Sequence, residues 1–493
     1  MPQAPPVTRR EGLLLAAIIA AGAAVRFATL GHQSYDHDEA VTAWRVLRGG
    51  LGGTLHVVAT SERSPPLYYL LAWGWAKLFG TGEVGLRSLS ALLGVATLPA
   101  AYLAARQVGS RRAGLIAAAL VAFNPYLVWY SQEARSYALL VFFVAWGLYL
   151  FARCLDDPSR RNLGLWAAAS ALALGSHYFA AFIVGAEGLW LLIRWWPRRA
   201  PALALGAVGA VGGALLPFAL AQEGTGRSNR FTATPLLDRA AHAVLTFFAS
   251  QEPQSLVGSA SVRHFRGAVL VIGLTGAAMA LVLLLRRAGP RERRGGLTVA
   301  GVAAACLVLP FVLAAAGPDF VDDRNLIAGL VPLLVAVAVG FGARGVGRLG
   351  TACAGGMVAL FVAVLAAVYV SAQMQRDDWR AAAAAMGPRS GPRVLVVARN
   401  GNEPIAYYRN AREFRPPRYR SVRVREIDVL SKLGPVSAPS GGFRLTERRG
   451  LAPCCTLSRY RAPRPVPVRP SGVADHRVLH ERSSVLVEGA RPG

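Results

Sequence analysis

Residues 325–343 read NLIAGLVPLLVAVAVGFGA, a stretch that contains no charged side chain. An α-helix of this length is long enough to cross the hydrocarbon core of a lipid bilayer. Charged residues mark both ends of the stretch, with Asp322, Asp323 and Arg324 before it and Arg344 after it. The stretch therefore predicts a membrane-spanning helix whose flanking loops carry the charges.

Ten further apolar stretches of bilayer-spanning character lie between residues 12 and 371. They are residues 12–30, 84–106, 113–130, 137–152, 163–177, 179–193, 201–221, 267–285, 297–316 and 352–371. With residues 325–343 they predict an all-α polytopic membrane protein with about eleven transmembrane helices.

Residues 66–80 are also apolar, but the stretch is short, rich in aromatic side chains and begins at Pro65-Pro66. These features favour an interfacial helix in the first outer loop over another span. Counting it as a span would also place the later arginine-rich loops alternately on the two sides of the membrane.

The composition agrees with a membrane protein. Of the 493 residues, 54% are hydrophobic and only 16% are charged, and the mean hydropathy is +0.38. Both values argue against a disordered chain and against an ordinary soluble enzyme. The net charge of +27 comes from arginines in short clusters between apolar runs. Because these clusters form no continuous basic stripe, we predict no nucleic-acid partner.

Cysteine usage gives little functional information. Five cysteines are too few for a disulfide framework in a chain of this length. Cys154, Cys306 and Cys353 lie in or beside apolar runs and are interpreted as core residues. The adjacent pair Cys454 and Cys455 lies in the polar tail and is a candidate redox pair.

Short arginine-rich loops fall on the inner side of the membrane if the N-terminus is cytoplasmic, as the positive-inside rule requires. This orientation predicts a cytoplasmic segment 1–11, a transmembrane domain 12–372 with outer loops 31–83 and 222–266, and an extracytoplasmic domain 373–493. A strand-like run at 394–398 predicts that the last domain is a small mixed α/β domain. The prolines near 463–475 predict loose ends, so we expect this domain to be partly disordered.

The first outer loop opens with an acidic cluster, Ser34-Tyr35-Asp36-His37-Asp38-Glu39. Carboxylates beside a membrane are costly unless they serve a purpose. One of them can act as a general base on an incoming hydroxyl or amine. Asp36 and Glu39 also have the spacing of a helix capping box. A metal site is a third interpretation, because Asp and His are metal ligands.

Other polar residues fall in loops on the same predicted face: Arg63, Glu133 and Arg135, His177 and Tyr178, and Asp322-Asp323-Arg324. An arginine in such a loop can pair with a carboxylate such as Glu133, or it can hold an anionic group such as phosphate. His177 alone is equally consistent with a satisfied interfacial residue. Taken together, these clusters predict an active cavity that a membrane-borne substrate enters sideways.

Several short segments follow one another in a particular order and spacing. They are Asp38-Glu39, Pro65-Pro66-Leu67-Tyr68-Tyr69, Gly85-Leu86-Arg87, Ser131-Gln132-Glu133-Ala134-Arg135-Ser136-Tyr137, His177-Tyr178-Phe179, Arg324 and Asp378-Trp379-Arg380. In this arrangement the chain resembles the type C membrane glycosyltransferases. In particular it looks like the bacterial branch related to protein O-mannosyltransferases and lipid A aminoarabinose transferase. The resemblance covers roughly residues 12–385.

The resemblance implies a multi-pass enzyme of the cell membrane, with an extracytoplasmic active site. Such an enzyme transfers a mannose-like sugar, or another hexose or pentose, from a polyprenyl-phosphate donor to a protein, lipid or glycan acceptor. It implies that Asp38 is the general base and that Glu39 orients it or touches the acceptor. It also implies substrate-binding roles for Asp36, Arg63, Arg135, Glu133, His177, Tyr178 and Arg324, with Arg135 and Arg324 near the donor phosphate. Arg87 either helps there or holds the helix bundle.

The chemistry of such a donor is simple. A sugar on a lipid phosphate already carries a leaving group, so one base for the acceptor and cations for the departing phosphate are sufficient. This predicts a single displacement with inversion at the sugar carbon and no required cofactor. A divalent ion at Asp36, His37 and Asp38 stays an alternative.

Two positions depart from the pattern of the relatives. Ser64 stands where many of them have Lys or His before the Pro-Pro pair, which leaves Arg63 as the substitute phosphate contact. Asn325 follows Arg324 where an aromatic residue is common. A different class of function, a transporter or lipid flippase, would place charges deep within spans, and Glu187 is the clearest such residue.

Overall fold

A computed structural model describes residues 7–223, 234–250, 259–317, 319–432, 441–452, 454–473 and 483–490. Most of these residues are helical. In chain order the α-helices are α1 (Arg9–Phe27), α2 (His37–Ala40), α3 (Leu51–Ser61), α4 (Leu67–Phe79), α5 (Glu83–Val108), α6 (Arg111–Phe123), α7 (Pro125–Ser131), α8 (Tyr137–Asp156), α9 (Arg160–Ser176), α10 (Ala180–Arg194), α11 (Arg199–Glu223), α12 (Leu236–Ala249), α13 (Ala260–Arg287), α14 (Pro290–Ala316), α15 (Leu330–Gly342), α16 (Gly347–Val370), α17 (Trp379–Ala385) and α18 (Asn402–Arg409).

Every one of the eleven predicted spans coincides with helical structure. In the described part of the chain, seven helical segments are long and apolar enough to cross a membrane: Glu83–Val108, Tyr137–Asp156, Arg199–Gln222, Ala260–Arg287, Pro290–Ala316, Asp323–Gly342 and Arg344–Val370. The other predicted spans fall on shorter or more charged helices (α1, α9 and α10) and on a bent pair (α6 with α7). The chain is therefore a multi-pass membrane protein by its helices, and the count of eleven stays a prediction.

The residues group into two compact units. The first unit takes the described residues of Met1–Leu30, Gly49–Glu252 and Ala260–Ala367, and the second takes those of Gly31–Arg48, Pro253–Ser259 and Val368–Gly493. The first unit contains the long apolar helices. The second unit contains a β-sheet, and it also includes the acidic cluster of the first outer loop.

One predicted span of the first unit is broken. The stretch 113–130 forms α6 and α7, which meet at Asn124 with a bend of 60°. Pro125 has no backbone N–H to continue the hydrogen bonds of α6, and the Asn124 side chain accepts from the Leu127 amide at 3.0 Å to begin α7. The break leaves the last carbonyls of α6 without helical donors.

Arg26 on α1 supplies the missing donors. Its guanidinium, which is 1% exposed, donates to the carbonyls of Val121 at 3.0 Å and Ala122 at 2.7 Å. Its Nε donates to Ser131 Oγ at the end of α7. A positive group at a helix C-terminus is also favoured by the helix dipole. Arg26 therefore joins three helices at the break.

The second unit is built on a six-stranded mixed sheet. Its strands are β1 (Arg393–Ala398), β2 (Arg412–Glu413), β3 (Val422–Ser431), β4 (Arg444–Leu451), β5 (Cys455–Val468) and β6 (Ser483–Glu488), in the order β2-β6-β1-β3-β5-β4. β1 and β3 are parallel, and every other pairing is antiparallel. Apolar side chains cover both faces of the sheet, with Ile427 and Tyr460 in one cluster and Leu430 and Leu457 in the other. Cys454 and Cys455 form a disulfide with each other.

The prediction of loose ends near 463–475 is wrong for residues 463–468, which belong to β5. β4 pairs with β5 only as far as Arg461, so the rest of β5 pairs with β3 alone and has one open edge. Pro463, Pro465 and Pro467 alternate along this part. Alternate residues point their N–H groups to the same edge, and proline is tolerated at an open edge. Residues 474–482 lie outside the described residues, as do 224–233 and 251–258 of the predicted outer loop 222–266.

The Arg26→Leu variant tests the role of the buried arginine. We expect it to lower the melting temperature of the detergent-purified protein, because each buried carbonyl left without a donor costs about 1–3 kcal/mol. The matched control is Arg291→Leu, since the Arg291 side chain is 60% exposed and its loss should change little. An unaltered melting temperature for Arg26→Leu would show that water or lipid replaces the guanidinium without cost.

Candidate functional site

The acidic cluster of the second unit forms one tight helical turn. Asp36 is the N-cap of α2, and its Oδ1 accepts from the Glu39 amide at 3.0 Å. Glu39 Oε2 in turn accepts from the Asp36 amide at 3.4 Å. This is the reciprocal capping box that the spacing predicted. A π-helical turn, Val41–Val46, follows directly, and such turns are frequent at functional sites.

The three carboxylates of this turn differ in exposure. Glu39 is fully buried, at 0% exposure, whereas Asp36 and Asp38 are half-buried. Burial raises the pKa of the Asp36 carboxyl, and the charges of Glu39 and Asp38 add to that rise, while Arg376 opposes it. Asp38 is therefore better placed than Glu39 to meet a substrate, because a group with no exposed surface cannot be reached from solvent.

The residues before the turn are held by the segment that follows α16. Ser34 Oγ donates to the Asp377 carbonyl at 2.9 Å and accepts from the Trp379 amide at 3.1 Å. The Tyr35 amide donates to the Tyr408 hydroxyl at 2.8 Å. Arg380 donates to the carbonyls of Gly31 and His32. The residues that precede the acidic turn are thus fixed to the chain that follows α16.

The metal interpretation of the acidic cluster stays an alternative. In the described part of the chain, no group of three or more His, Cys, Asp and Glu side chains lies close enough together to hold an ion. In particular, Asp36 is engaged in the capping box, which directs its carboxylate to the Glu39 amide.

A second polar cluster lies in the first unit, around Arg135. Its Nη1 pairs with Glu62 Oε2 at 2.8 Å, and the same Glu62 oxygen accepts from the Tyr69 hydroxyl at 2.6 Å. The guanidinium also lies over the Tyr69 ring, 5.8 Å from its centroid. Glu62 is a functional candidate that the sequence analysis missed. Its position directly before Arg63 and the Pro-Pro pair is the signal that could have identified it.

His177 lies in the connection between α9 and α10, near two arginines. Its Nδ1 accepts from the Phe179 amide at 3.2 Å, so its Nε2 carries the proton. Burial, together with the positive charges of Arg135 and Arg324, lowers the pKa of His177 to about 3. His177 is therefore a neutral N–H donor in a positively charged environment.

Arg324 has a carboxylate partner of its own. Its Nε pairs with Asp322 Oδ2 at 3.0 Å, and its backbone amide donates to Asp323 Oδ1 at 2.8 Å. The Arg324 side chain is 35% exposed, compared with 11% for Arg135. Both candidate phosphate contacts are thus oriented by carboxylates, and Arg324 is the more accessible.

Tyr178 is linked through Gln222 of α11 to α3 and to the loop that follows α3. Its hydroxyl donates to Gln222 Oε1 at 3.0 Å, and Gln222 Nε2 donates to the carbonyls of Val58 and Ser64. Gln222 is 3% exposed and is a further residue that the sequence analysis did not select. Through this chain of hydrogen bonds, the end of α11 fixes the loop that carries Glu62 and Arg63.

The remaining predicted residues have clear positions. Glu133 is buried, and its carbonyl accepts from the Arg135 amide at 2.8 Å. Arg63 is half-buried. Arg87 is 1% exposed and donates to the Leu30 carbonyl at 2.7 Å, which fits a role in holding the helix bundle. The predicted site residues therefore fall into two clusters, with Asp36, Asp38 and Glu39 in the second unit and the others in the first.

Comparison with known families agrees with the predicted resemblance. Residues 63–219 match the family described as dolichyl-phosphate-mannose-protein mannosyltransferase, which confirms that the chain resembles the O-mannosyltransferase branch of the type C glycosyltransferases. The match covers less than half of the chain. An uncharacterized protein of Aquifex aeolicus (strain VF5) is 30% identical over 136 residues, which is 27% of this chain and 27% of that protein.

Two solved structures show distant likeness. The protein O-mannosyltransferase Pmt1-Pmt2 complex of S. cerevisiae, bound to the sugar donor, is 22% identical with a TM-score of 0.36, over 43% of this chain and 34% of that chain. ArnT from Cupriavidus metallidurans, bound to undecaprenyl phosphate, is 15% identical with a TM-score of 0.45, over 66% of this chain and 60% of that chain. The chain thus spans between about a quarter and three fifths of the length of these relatives, and at these scores the likeness carries no argument about activity.

The neutral state of His177 predicts a pH-dependent stability. In the unfolded chain the imidazole has its ordinary pKa of 6.5, whereas in the folded chain the pKa is about 3. Its contribution is complete above pH 6.5 and is lost as the pH falls towards 3, by about 2 kcal/mol at pH 5. We therefore expect His177→Gln to lose less melting temperature than the wild type between pH 7 and pH 5. Exposed His56 provides the control variant, His56→Gln, and equal losses in all three proteins would contradict the assignment.

Proposed function

Since residues 63–219 resemble the dolichyl-phosphate-mannose-protein mannosyltransferases, we propose that this chain is a membrane glycosyltransferase that uses a polyprenyl-phosphate sugar as donor. The observation that supports the proposal is the acidic turn at the start of the first outer loop. In this turn Asp36 caps the helix, Asp38 is half-buried and Glu39 is fully buried. A fixed carboxylate with access to solvent suits a general base.

In this reaction Asp38 takes the proton of an acceptor hydroxyl or amine. The acceptor atom forms a bond to the sugar carbon while the bond from that carbon to the phosphate oxygen breaks, so the configuration at the carbon inverts. Glu39 and Asp36 keep the turn in place. The acceptor is a protein, lipid or glycan on the outer face of the membrane, and the sugar is mannose or another hexose or pentose.

The phosphate that leaves has to be stabilised by cations and hydrogen-bond donors. Arg135 and Arg324 serve this purpose in the proposal, supported by their carboxylate partners, which set the direction of each guanidinium. His177 adds a neutral N–H, and Arg63, Glu133 and Tyr178 complete the surroundings of the donor. A reaction with these residue roles needs no cofactor. We therefore expect sugar transfer to continue in the presence of a metal chelator.

The Asp38→Asn variant tests the general base. Membranes that contain it would be incubated with radiolabelled polyprenyl-phosphate sugars, and the label followed into lipid, protein and glycan fractions. We expect transfer to fall by roughly 100-fold to 10,000-fold, since that is the usual contribution of a general base, while the variant still inserts and binds donor. Asp238→Asn is the matched control, because Asp238 is an exposed residue in the first turn of α12.

Turnover by Asp38→Asn at the wild-type rate would remove Asp38 from the mechanism. Labelled donor that crosses the membrane in the wild type without any transfer of its sugar would instead identify a transporter or lipid flippase. The fraction that acquires label identifies the acceptor class.

The Arg135→Gln variant tests the phosphate contact. We expect a loss of roughly 10-fold to 1,000-fold in transfer, because an oriented charge on the departing oxygen is removed, and Arg135→Lys should restore part of it. Arg239→Gln is a control of equal burial, because Arg239 is also 11% exposed and also pairs with a carboxylate, Asp319. A loss of equal size in Arg135→Gln and Arg239→Gln would attribute the effect to folding alone.

A further inference from the structure

Three carboxylates within four residues repel one another, and one of them, Glu39, has no contact with solvent. A buried carboxylate is costly unless a cation or donors meet it. The cations that face the acidic turn therefore decide how its carboxylates are held.

Arg376 is the cation that approaches Glu39. Its Nη1 lies 3.7 Å from Glu39 Oε2, and the two side chains are 5% and 0% exposed. The Arg376 backbone amide donates to Gln33 Oε1 at 2.8 Å, so the segment that carries Arg376 is itself fixed to the residues before the turn. Such a geometry places a buried positive charge beside the capping box.

Other charged and titratable groups on the neighbouring segments have different partners. Lys432 contacts Asp377 Oδ2 at 2.5 Å, and Arg45 pairs with Glu403 at 3.0 Å. Arg380 donates to the carbonyls of Gly31 and His32. The Tyr408 hydroxyl accepts from the Tyr35 amide, and the Tyr407 ring packs on the Tyr35 ring. His37 belongs to the turn itself.

We propose that Arg376 is a positioning residue for the general base: its guanidinium holds the buried carboxylate of Glu39, which closes the capping box and so sets the place of Asp38 on the turn. The proposal rests on the proposed function. It also gives the second unit a part in the chemistry, since the segment after the last long helix then determines the geometry of the acidic turn.

The charge of Arg376 has a second effect. It opposes the rise in the pKa of Asp36 that burial and the neighbouring carboxylates cause. Without it the Asp36 carboxyl would bind a proton at higher pH, and a protonated carboxyl is a weaker acceptor for the Glu39 amide that closes the capping box. The acid limb of the activity profile would move to higher pH.

The experiment measures sugar transfer by the full-length protein between pH 5 and pH 9. For Arg376→Gln we expect kcat to fall by roughly 10-fold to 100-fold at neutral pH, the usual cost of a misplaced catalytic group, and to recover in part as the pH rises. Arg376→Lys keeps the charge, so its acid limb should stay near that of the wild type. Arg415→Gln is the control, since Arg415 is 71% exposed and pairs with Glu413.

The melting temperature of each variant, measured at every pH of the profile, separates a shift of the acid limb from unfolding at acid pH. A double variant with Glu39→Gln adds a second readout. If Arg376 acts through Glu39, the double variant should be no slower than the slower single variant. An Arg376→Gln profile that is lowered equally at every pH, or losses that multiply in the double variant, would overturn the proposal.

The Asp38→Asn variant separates this proposal from the proposed function. If it keeps full turnover, the general base itself is wrong. If it loses turnover while Arg376→Gln keeps the wild-type acid limb, only the role of Arg376 is wrong.

Discussion

A carboxylate removed from water has to be met by positive charge or by hydrogen-bond donors, and Glu39 is such a group. It accepts from the Asp36 amide and lies beside Arg376. Arg376 is more than three hundred residues away from Glu39 in sequence. The contact between them agrees with the grouping of the start of the first outer loop and the chain after the last long helix into one compact unit. The acidic turn is therefore a part of the sheet-containing unit.

The high arginine content also has a physical explanation in the folded chain. Several buried or half-buried arginines donate to backbone carbonyls at or just beyond helix ends, where the helix leaves acceptors unsatisfied. Arg26 does so at the end of α6, Arg112 at the end of α15 through the carbonyls of Phe341 and Ala343, and Arg409 at the end of α17 through Ala383 and Gly387. Arg135 and Arg324 differ, because they pair with carboxylates in the loops.

The sequence predicted what local pattern determines. Long apolar runs predicted the helices, and the spacing of Asp36 and Glu39 predicted a capping box that the structure contains. Partners far apart in sequence could not be predicted, because no local pattern connects Arg135 with Glu62, Arg26 with the end of α6, or Glu39 with Arg376. The prolines of β5 led to the wrong prediction of loose ends at residues 463–468. The open edge of the strand, which tolerates proline, exists only once the sheet has formed. The roles of the site residues stay predictions.

In the proposed reaction, the ion pairs of the first unit also affect how strongly the phosphate is bound in the donor and in the transition state. An arginine without a partner would bind the phosphate of the donor strongly, and binding that is as strong in the ground state as in the transition state lowers KM without raising kcat. Arg135 already has Glu62 as its partner, so its charge is partly neutralised before the substrate arrives, and the Tyr69 hydroxyl shares the same Glu62 oxygen. As negative charge develops on the departing oxygen, this oxygen competes with the Glu62 carboxylate for the Arg135 guanidinium. The competition favours binding of the state in which the phosphate is most negative. In the proposed reaction, Glu62 therefore makes the response of Arg135 to the transition state stronger than its response to the bound donor.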